Sequence, residues 1–170
     1  ALAAQVSIPL PGVPEVPAAP CSIPWFFTNP RLPDCPLNQP SDSSAAYQNF
    51  NYGYMIWVGS LDAIYVIYID SALPRWDVYQ DRWEDGMPET DPNLDSQAPA
   101  YIDFQPRRGF GLVWRETPGM IGRLGWAEGT YEQPYTARLQ TRSDGTVFIS
   151  DPNGRLFMLM PNGDWEVFFT

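Results

Sequence analysis

The side chains available for chemistry are carboxylates, arginines, two cysteines and aromatic rings. Twenty acids face ten basic residues, all arginine, and there is no histidine and no lysine. Histidine is the usual general base near neutral pH and the commonest metal ligand. Lysine supplies Schiff bases and phosphate clamps. Serine–histidine triads, cysteine–histidine dyads, histidine–zinc sites and P-loops are therefore excluded for this chain acting alone. Carboxylate pairs such as Asp81/Glu84 or Glu84/Asp85 have the residue types of a glycosidase. Among twenty acids, neighbouring pairs arise by chance, so the chain is read as no enzyme and as needing no cofactor. Asp91-x-Asn93-x-Asp95 has a calcium-like spacing, but it lacks the glycine and distal bidentate glutamate of a calcium loop, so no metal is assigned. Arg107-Arg108 beside Gly109 could grip an anion; pairing with acids near a helix is the simpler use.

The aromatics offer a second chemistry. Tyr52, Tyr54, Trp76 and Trp83 are candidates for stacking on sugar rings, with Trp57, Trp114 and Trp126 further possibilities. A β domain of this size also needs such residues in its core. The cysteines offer a third. Cys21 and Cys35 sit in a proline-rich stretch with no histidine or further cysteine to complete a metal site. They read as a disulfide closing a short loop, worth about 3 kcal/mol by loop-closure arithmetic. Two free thiols are the alternative. A disulfide places the chain in an oxidising compartment.

The elements that must position these groups follow from composition and pattern. The chain has 170 residues, 44% of them apolar and 15% aromatic, with a net charge of −10. That suits one aromatic-rich, β-leaning domain. The negative charge argues against a nucleic-acid backbone and against anionic lipid. No apolar run approaches the length of a membrane span, so no membrane insertion is expected. The Ala-Leu-Ala-Ala start resembles a mature end left by signal-peptide removal, as would a fragment boundary.

Ten of the 19 prolines fall in the first 40 residues. Residues 1–10 alternate strictly: Leu2, Ala4, Val6, Ile8 and Leu10 point one way, which is the pattern of a half-buried strand. Residues 11–45 form a spacer whose prolines at intervals of three favour polyproline II geometry, followed by the cysteine loop. The polar run Pro40–Ser44 reads as a turn before the main domain, residues 46–170. There, Gly53–Val58, Ala63–Asp70 and a segment from Trp76 read as strands. Residues 77–95, with seven acids against one arginine, read as a solvated loop. Arg107–Arg115 and Pro118–Leu124 read as short helices, the second stopped by Gly125. Asp144-Gly145, Asn153-Gly154 and Asn162-Gly163 read as hairpin turns joining strands near 135–142, 146–151, 155–160 and 164–169. Val147/Ile149, Leu156/Met158/Met160 and Trp165/Val167/Phe169 are expected to share a face. The fold class is mainly β: an antiparallel barrel or meander with one or two short helices.

Several segments carry a resemblance. Gln48–Trp57 contains Gly-Tyr-Met-Ile-Trp, Phe104–Glu116 contains Arg-Gly-Phe-Gly-Leu-Val-Trp, and Leu124–Glu128 reads Leu-Gly-Trp-Ala-Glu. With Ile64–Tyr68, Tyr135–Gln140 and Gly145–Phe148, they resemble an uncharacterised class of extracellular bacterial β-domains over roughly 125 residues. That class implies no catalytic residues. A looser likeness is to LGFP-type cell-wall repeats, from which Trp126-Ala127 departs. With its alternating first strand, the chain is also similar to bacterial fibril subunits built by donor-strand complementation. That resemblance implies a secreted subunit of an extracellular, cell-surface filament, whose partner is another copy of itself and whose N-terminal strand completes a neighbour's barrel. The spacer supports this, because a strand held about 30 Å out is placed to reach a neighbour. The alternative is a monomeric surface module binding polysaccharide or cell wall through exposed aromatics.

Overall fold

A computed structural model describes residues 21–99 and 103–169. The proposed donor residues Leu2, Ala4, Val6, Ile8 and Leu10 lie outside the described residues. Eight antiparallel strands form one sheet curled into a half-barrel. In chain order they are β1 (Ser41–Phe50), β2 (Gly53–Val58), β3 (Ala63–Tyr68), β4 (Trp76–Gln80), β5 (Gln133–Thr141), β6 (Val147–Ser150), β7 (Arg155–Leu159) and β8 (Trp165–Phe169). A 3-10 turn at Pro92–Gln97 and two helices, α1 (Arg108–Glu116) and α2 (Met120–Leu124), lie between β4 and β5. The spatial order is β4-β3-β2-β1-β5-β6-β7-β8, so two meanders join side by side along β1 and β5.

The hairpin reading of the C-terminal part holds. Gly145, Gly154 and Gly163 all have positive φ, at 93°, 76° and 84°. A side chain at such positions would be strained, so glycine fixes each turn. Both helices are also where the sequence puts them, and Gly125 ends α2 with φ 79°.

Two expectations change. Ser41–Ser44 is not a turn; it begins β1, paired with β5 through Ser41↔Leu139 and Ser43↔Ala137. The ladder to β5 imposes an extended strand on residues with little strand preference of their own. The shared face at the C-terminus is also corrected. Ile149 lies opposite Phe157 and Val147 opposite Leu159; Leu159 lies opposite Trp165. Leu156 and Met158 therefore face the other way. Alternation within one strand cannot fix this, because the inter-strand register decides which alternate residues align.

Three clusters divide the core. The inner face of the curl buries Tyr47, Ile56, Tyr65, Ile67, Ile149, Phe157, Leu159 and Trp165, among others. On the outside, α1, α2 and residues 126–127 cover β1–β3 through Phe110, Val113, Trp114, Leu124 and Trp126 packed on Met55, Ile64 and Val66. Residues 21–40 cover β6–β7, where Phe27 joins Phe148, Leu156 and Met158, with Trp25, Phe26 and Leu32 alongside. The Cys21–Cys35 disulfide is present. It holds this cover closed, and Gln140 of β5 ties it down by donating to the carbonyls of Pro24 and Asn38.

The three sequence motifs converge on the helix-covered cluster. A Cβ on Gly53 would sit 2.0 Å from the Ile67 carbonyl oxygen, so only glycine fits there. Trp114 donates its indole N–H to the Gly125 carbonyl at 2.7 Å and meets Trp126 edge-on at 5.0 Å. Ala127 bridges Phe50 and Phe104. These residues hold helices to sheet.

Candidate functional site

Two features of the described residues are unfinished as a fold. The first is the pair of free sheet edges. β4 and β8 end the sheet, and no ladder joins them. Among the described residues they meet at their first residues and the turns that precede them. The Arg75 amide donates to the Gly163 carbonyl at 2.6 Å, and the Arg75 guanidinium pairs with Asp164 at 2.5 Å. The Trp76 indole donates to the Met160 carbonyl, and the Trp165 indole to the Tyr68 carbonyl.

The side chains on these edges are unusual. Val78 lies opposite Tyr65, and Val167 lies opposite Phe157, so both point with the inner-face cluster. Yet Val78 is 52% exposed, Val167 36% and Phe169 73%. Single exposed apolar residues are ordinary. Here three belong to the face that is core elsewhere in the sheet, and they are open because each edge has no further strand beside it. Unpaired edges with apolar side chains are templates for another strand.

The second feature is a cleft of about 490 Å³ over the outer face, at the start of α1. Its floor is Ala46 and Trp57, and its walls include Asp81, Trp83, Arg108, Phe110, Tyr131 and Glu132. The Arg107–Arg108 pair behaves as structural ion pairing predicts. Arg107 contacts Glu89 at 3.0 Å. Arg108 contacts Glu89 at 3.3 Å and Glu132 at 3.2 Å. Hydrogen bonds from both arginines hold the Glu89 carboxyl below the usual range. Arg107 also lies over the Tyr131 ring and Arg108 over Trp83. Asp81 differs: burial pushes its carboxyl up, and its Oδ1 accepts the Trp83 backbone N–H at 3.0 Å.

The acidic stretch 77–95 is thus more than a solvated loop. It begins on strand β4, supplies two cleft walls and ends in the 3-10 turn. There the calcium-like spacing is used locally: Asp91 accepts the Asn93 N–H at 2.9 Å, and Asp95 accepts from Gln105 at 2.5 Å. Of the carboxylates paired in the sequence reading, Asp81 lines the cleft, and Glu84 and Asp85 are exposed outside it.

The four stacking candidates do not form one platform. Tyr54 is on the inner face, stacked on Tyr47 and edge-on to Trp165. Trp76 shares that face, beside Tyr65. Tyr52 is exposed in the β1–β2 turn, and only Trp83 lines the cleft. Sequence reading passed over Tyr131 and Glu132. No local signal marks them; Gly109, whose Cβ would fall 2.4 Å from Asp81, meets that segment only in the folded chain.

A comparison with protein-family models, curated proteins and solved structures finds no match to this chain.

Proposed function

We propose that this protein is the structural subunit of an extracellular filament, polymerising by insertion of residues 1–10 of one copy against the open sheet edges of the next. The observation that carries the reading is the pair β4 and β8: two free edges whose inner-face residues Val78, Val167 and Phe169 are exposed. An alternating strand with Leu2, Val6 and Ile8 on one face has the pattern that would cover them. Covering each such side chain is worth about 1.5–3 kcal/mol. Ordering the strand costs about 1–2 kcal/mol per residue, so ladder hydrogen bonds to the open edges must contribute. The disulfide agrees with an oxidising, extracytoplasmic setting.

The test uses both partners of the junction. Val6→Asp would bury an unpaired charge at every contact and should abolish filaments in electron micrographs. Ser7→Asp, on the opposite face, should assemble. On the acceptor side, Val78→Asp and Val167→Asp replace exposed residues, so each should leave the fold within about 0.5 kcal/mol of the parent yet stop assembly. Deleting residues 1–10 should leave a soluble species that binds the corresponding synthetic peptide. Fibres from the deletion, or equal behaviour of Val6→Asp and Ser7→Asp, would sink the reading.

A further inference from the structure

The two sheet edges are not equivalent, and the difference lies in their backbone groups. In an antiparallel ladder, alternate residues exchange hydrogen bonds with the neighbouring strand, and the residues between them turn both N–H and C=O the other way. On β4 the bonded positions are fixed at both ends. The Tyr68 N–H donates to the Arg75 carbonyl and the Asp81 N–H to the Asp62 carbonyl, and the register between them is unbroken. Asp77 and Tyr79 therefore bond β3, and Trp76, Val78 and Gln80 turn their backbone groups to the open side. On β8 the Met160 N–H donates to the Asp164 carbonyl. Glu166 and Phe168 therefore bond β7, and Trp165, Val167 and Phe169 turn outward.

The outward groups of β8 are partly used. The Trp165 N–H donates to the Asp164 carboxylate at 2.9 Å. The Phe169 carbonyl accepts from the Asn29 side chain at 2.9 Å, which brings the cover of residues 21–40 against that end of the strand. Covering an edge in this way blunts it as a template. On β4, no outward N–H or C=O of Trp76, Val78 or Gln80 has a hydrogen-bond partner among the described residues. The same three residues carry their side chains on the inner face, since Val78 lies opposite Tyr65.

We infer that β4 is the edge on which residues 1–10 of another copy form their ladder, antiparallel to it, and that β8 serves only as a wall for the side chains. The inference rests on the strand-exchange reading above. Its polarity follows from Pro9. In antiparallel docking, the donor residue opposite Val78 shares its face and exchanges both hydrogen bonds with it. Leu2, Ala4, Val6, Ile8 and Leu10 then turn their N–H groups to β4, and the odd-numbered residues turn theirs away. Pro9, which has no N–H, costs nothing in that arrangement. In parallel docking the odd-numbered residues would bond β4, and Pro9 would leave a β4 carbonyl empty wherever Ile8 lies in the ladder. Trp76, Val78 and Gln80 match three successive inner residues of the donor, and every such run contains Val6.

The test is a proline scan of the full-length chain, because proline removes one backbone N–H at a time. Assembly is read by electron microscopy and sedimentation, and retention of the fold by melting curves. Val78→Pro and Gln80→Pro each take an outward N–H from β4 without touching a bond to β3. Each should raise the concentration needed for assembly at least about tenfold, the worth of one good hydrogen bond. Two positions are used so that one carries the test if the other costs the fold. Val167→Pro makes the same change on β8, keeps an apolar side chain and should assemble as the parent does. On the donor side, Val6→Pro should impair assembly at least about tenfold beyond Val6→Ala, and Ser7→Pro should be tolerated. Loss of assembly in Val167→Pro alone moves the ladder to β8, and loss on both edges makes the donor bridge the gap; either overturns the assignment to β4. A block by Ser7→Pro and not by Val6→Pro overturns the antiparallel polarity. Unimpaired assembly of both β4 variants, with Val6→Asp still blocking, overturns the β4 ladder and leaves strand exchange standing. Assembly of Val6→Asp is the failure of strand exchange itself, so the two are read separately.

Discussion

Replacing Gly109 by alanine sets two ordinary rules against each other. Gly109 is the second residue of α1. Within a helix, alanine is favoured over glycine by about 1 kcal/mol. At this position the new Cβ would lie 2.4 and 2.6 Å from the two Asp81 carboxylate oxygens and 2.7 Å from Cγ. Those distances are far inside van der Waals contact, so Asp81 must turn away. Turning breaks its hydrogen bond from the Trp83 N–H at 3.0 Å, a loss of about 1 kcal/mol. Overpacking the wall adds about 1–3 kcal/mol. The sum favours destabilisation by roughly 1–3 kcal/mol, despite the propensity gain. The assay is urea unfolding followed by tryptophan fluorescence, on Gly109→Ala, Asp81→Ser and the double variant. In the Asp81→Ser background the clash is gone and the propensity gain should reappear, so Gly109→Ala becomes neutral or stabilising. The coupling between the two sites should be about 1–3 kcal/mol. Gly53→Ala is the harsher comparison, because its Cβ would meet a backbone oxygen, Ile67 O, at 2.0 Å, and no side-chain rotation relieves that. If Gly109→Ala is as stable as the parent and uncoupled from Asp81, the carboxylate is free to move, and the description of the cleft wall is wrong.

Other outcomes follow from the same geometry. Arg155→Ala should cost about 3–5 kcal/mol in chemical denaturation, because it strands the fully buried Asp151 carboxylate, now held at 2.7 Å. Replacing Cys21 and Cys35 by serine should lower stability by about 3 kcal/mol, the entropy of a loop with a sequence separation of 14; intact-mass measurement without reductant should find the parent two hydrogens lighter than its reduced form. In acid, the support from Asp144 and Asp70 should be lost progressively below the unfolded carboxylate range. The Arg142 and Arg123 hydrogen bonds lower their carboxyls in the folded state, so that stabilisation is present above the unfolded carboxylate value and disappears as pH falls through the lower folded one. Asp81 has the opposite sign: burial raises its folded value, so its penalty grows as pH rises through that value. Asp144→Asn should therefore flatten the acid limb of a stability–pH curve, and Asp81→Asn should leave that limb in place.

Local chemistry made some elements legible in sequence. A hairpin turn needs two residues of the right backbone freedom, and Asp144-Gly145, Asn153-Gly154 and Asn162-Gly163 supply them without help. β3 was legible because Ile64–Tyr68 is apolar on both faces and is buried on both. β1 was not, because Ser43 and Ser44 serve neighbours: Ser43 Oγ takes the Ser60 N–H, and the Ser44 carbonyl takes the Gly59 N–H. A polar strand made by its partners has no signature of its own. The cleft was hidden for a related reason. Its residues come from β1, β2, the segment after β4, α1 and the approach to β5, and only the folded chain brings Asp81 beside Gly109. Arg107 and Arg108 could be read as ion-paired, but not that Glu89 and Glu132 would be the partners.

The staple between Cys21 and Cys35 has a mechanical meaning. If filaments form through residues 1–10 as proposed, Cys21 is the first described residue that a pull on the N-terminal segment reaches. The disulfide passes that load straight to Cys35, so the intervening loop with Trp25, Phe26 and Phe27 is not stretched. From Cys35 the force runs two residues to Leu37, whose N–H is bonded to the Thr141 carbonyl at 2.8 Å, and on into β1. β1 is hydrogen-bonded on both sides, to β2 and to β5. A pull along its axis loads both ladders in shear, where many bonds must yield together, instead of peeling an edge one bond at a time. Reducing the disulfide would lengthen each subunit under tension by the slack of the released loop. A fibre made this way would turn from stiff to extensible in a reducing environment without losing a single junction.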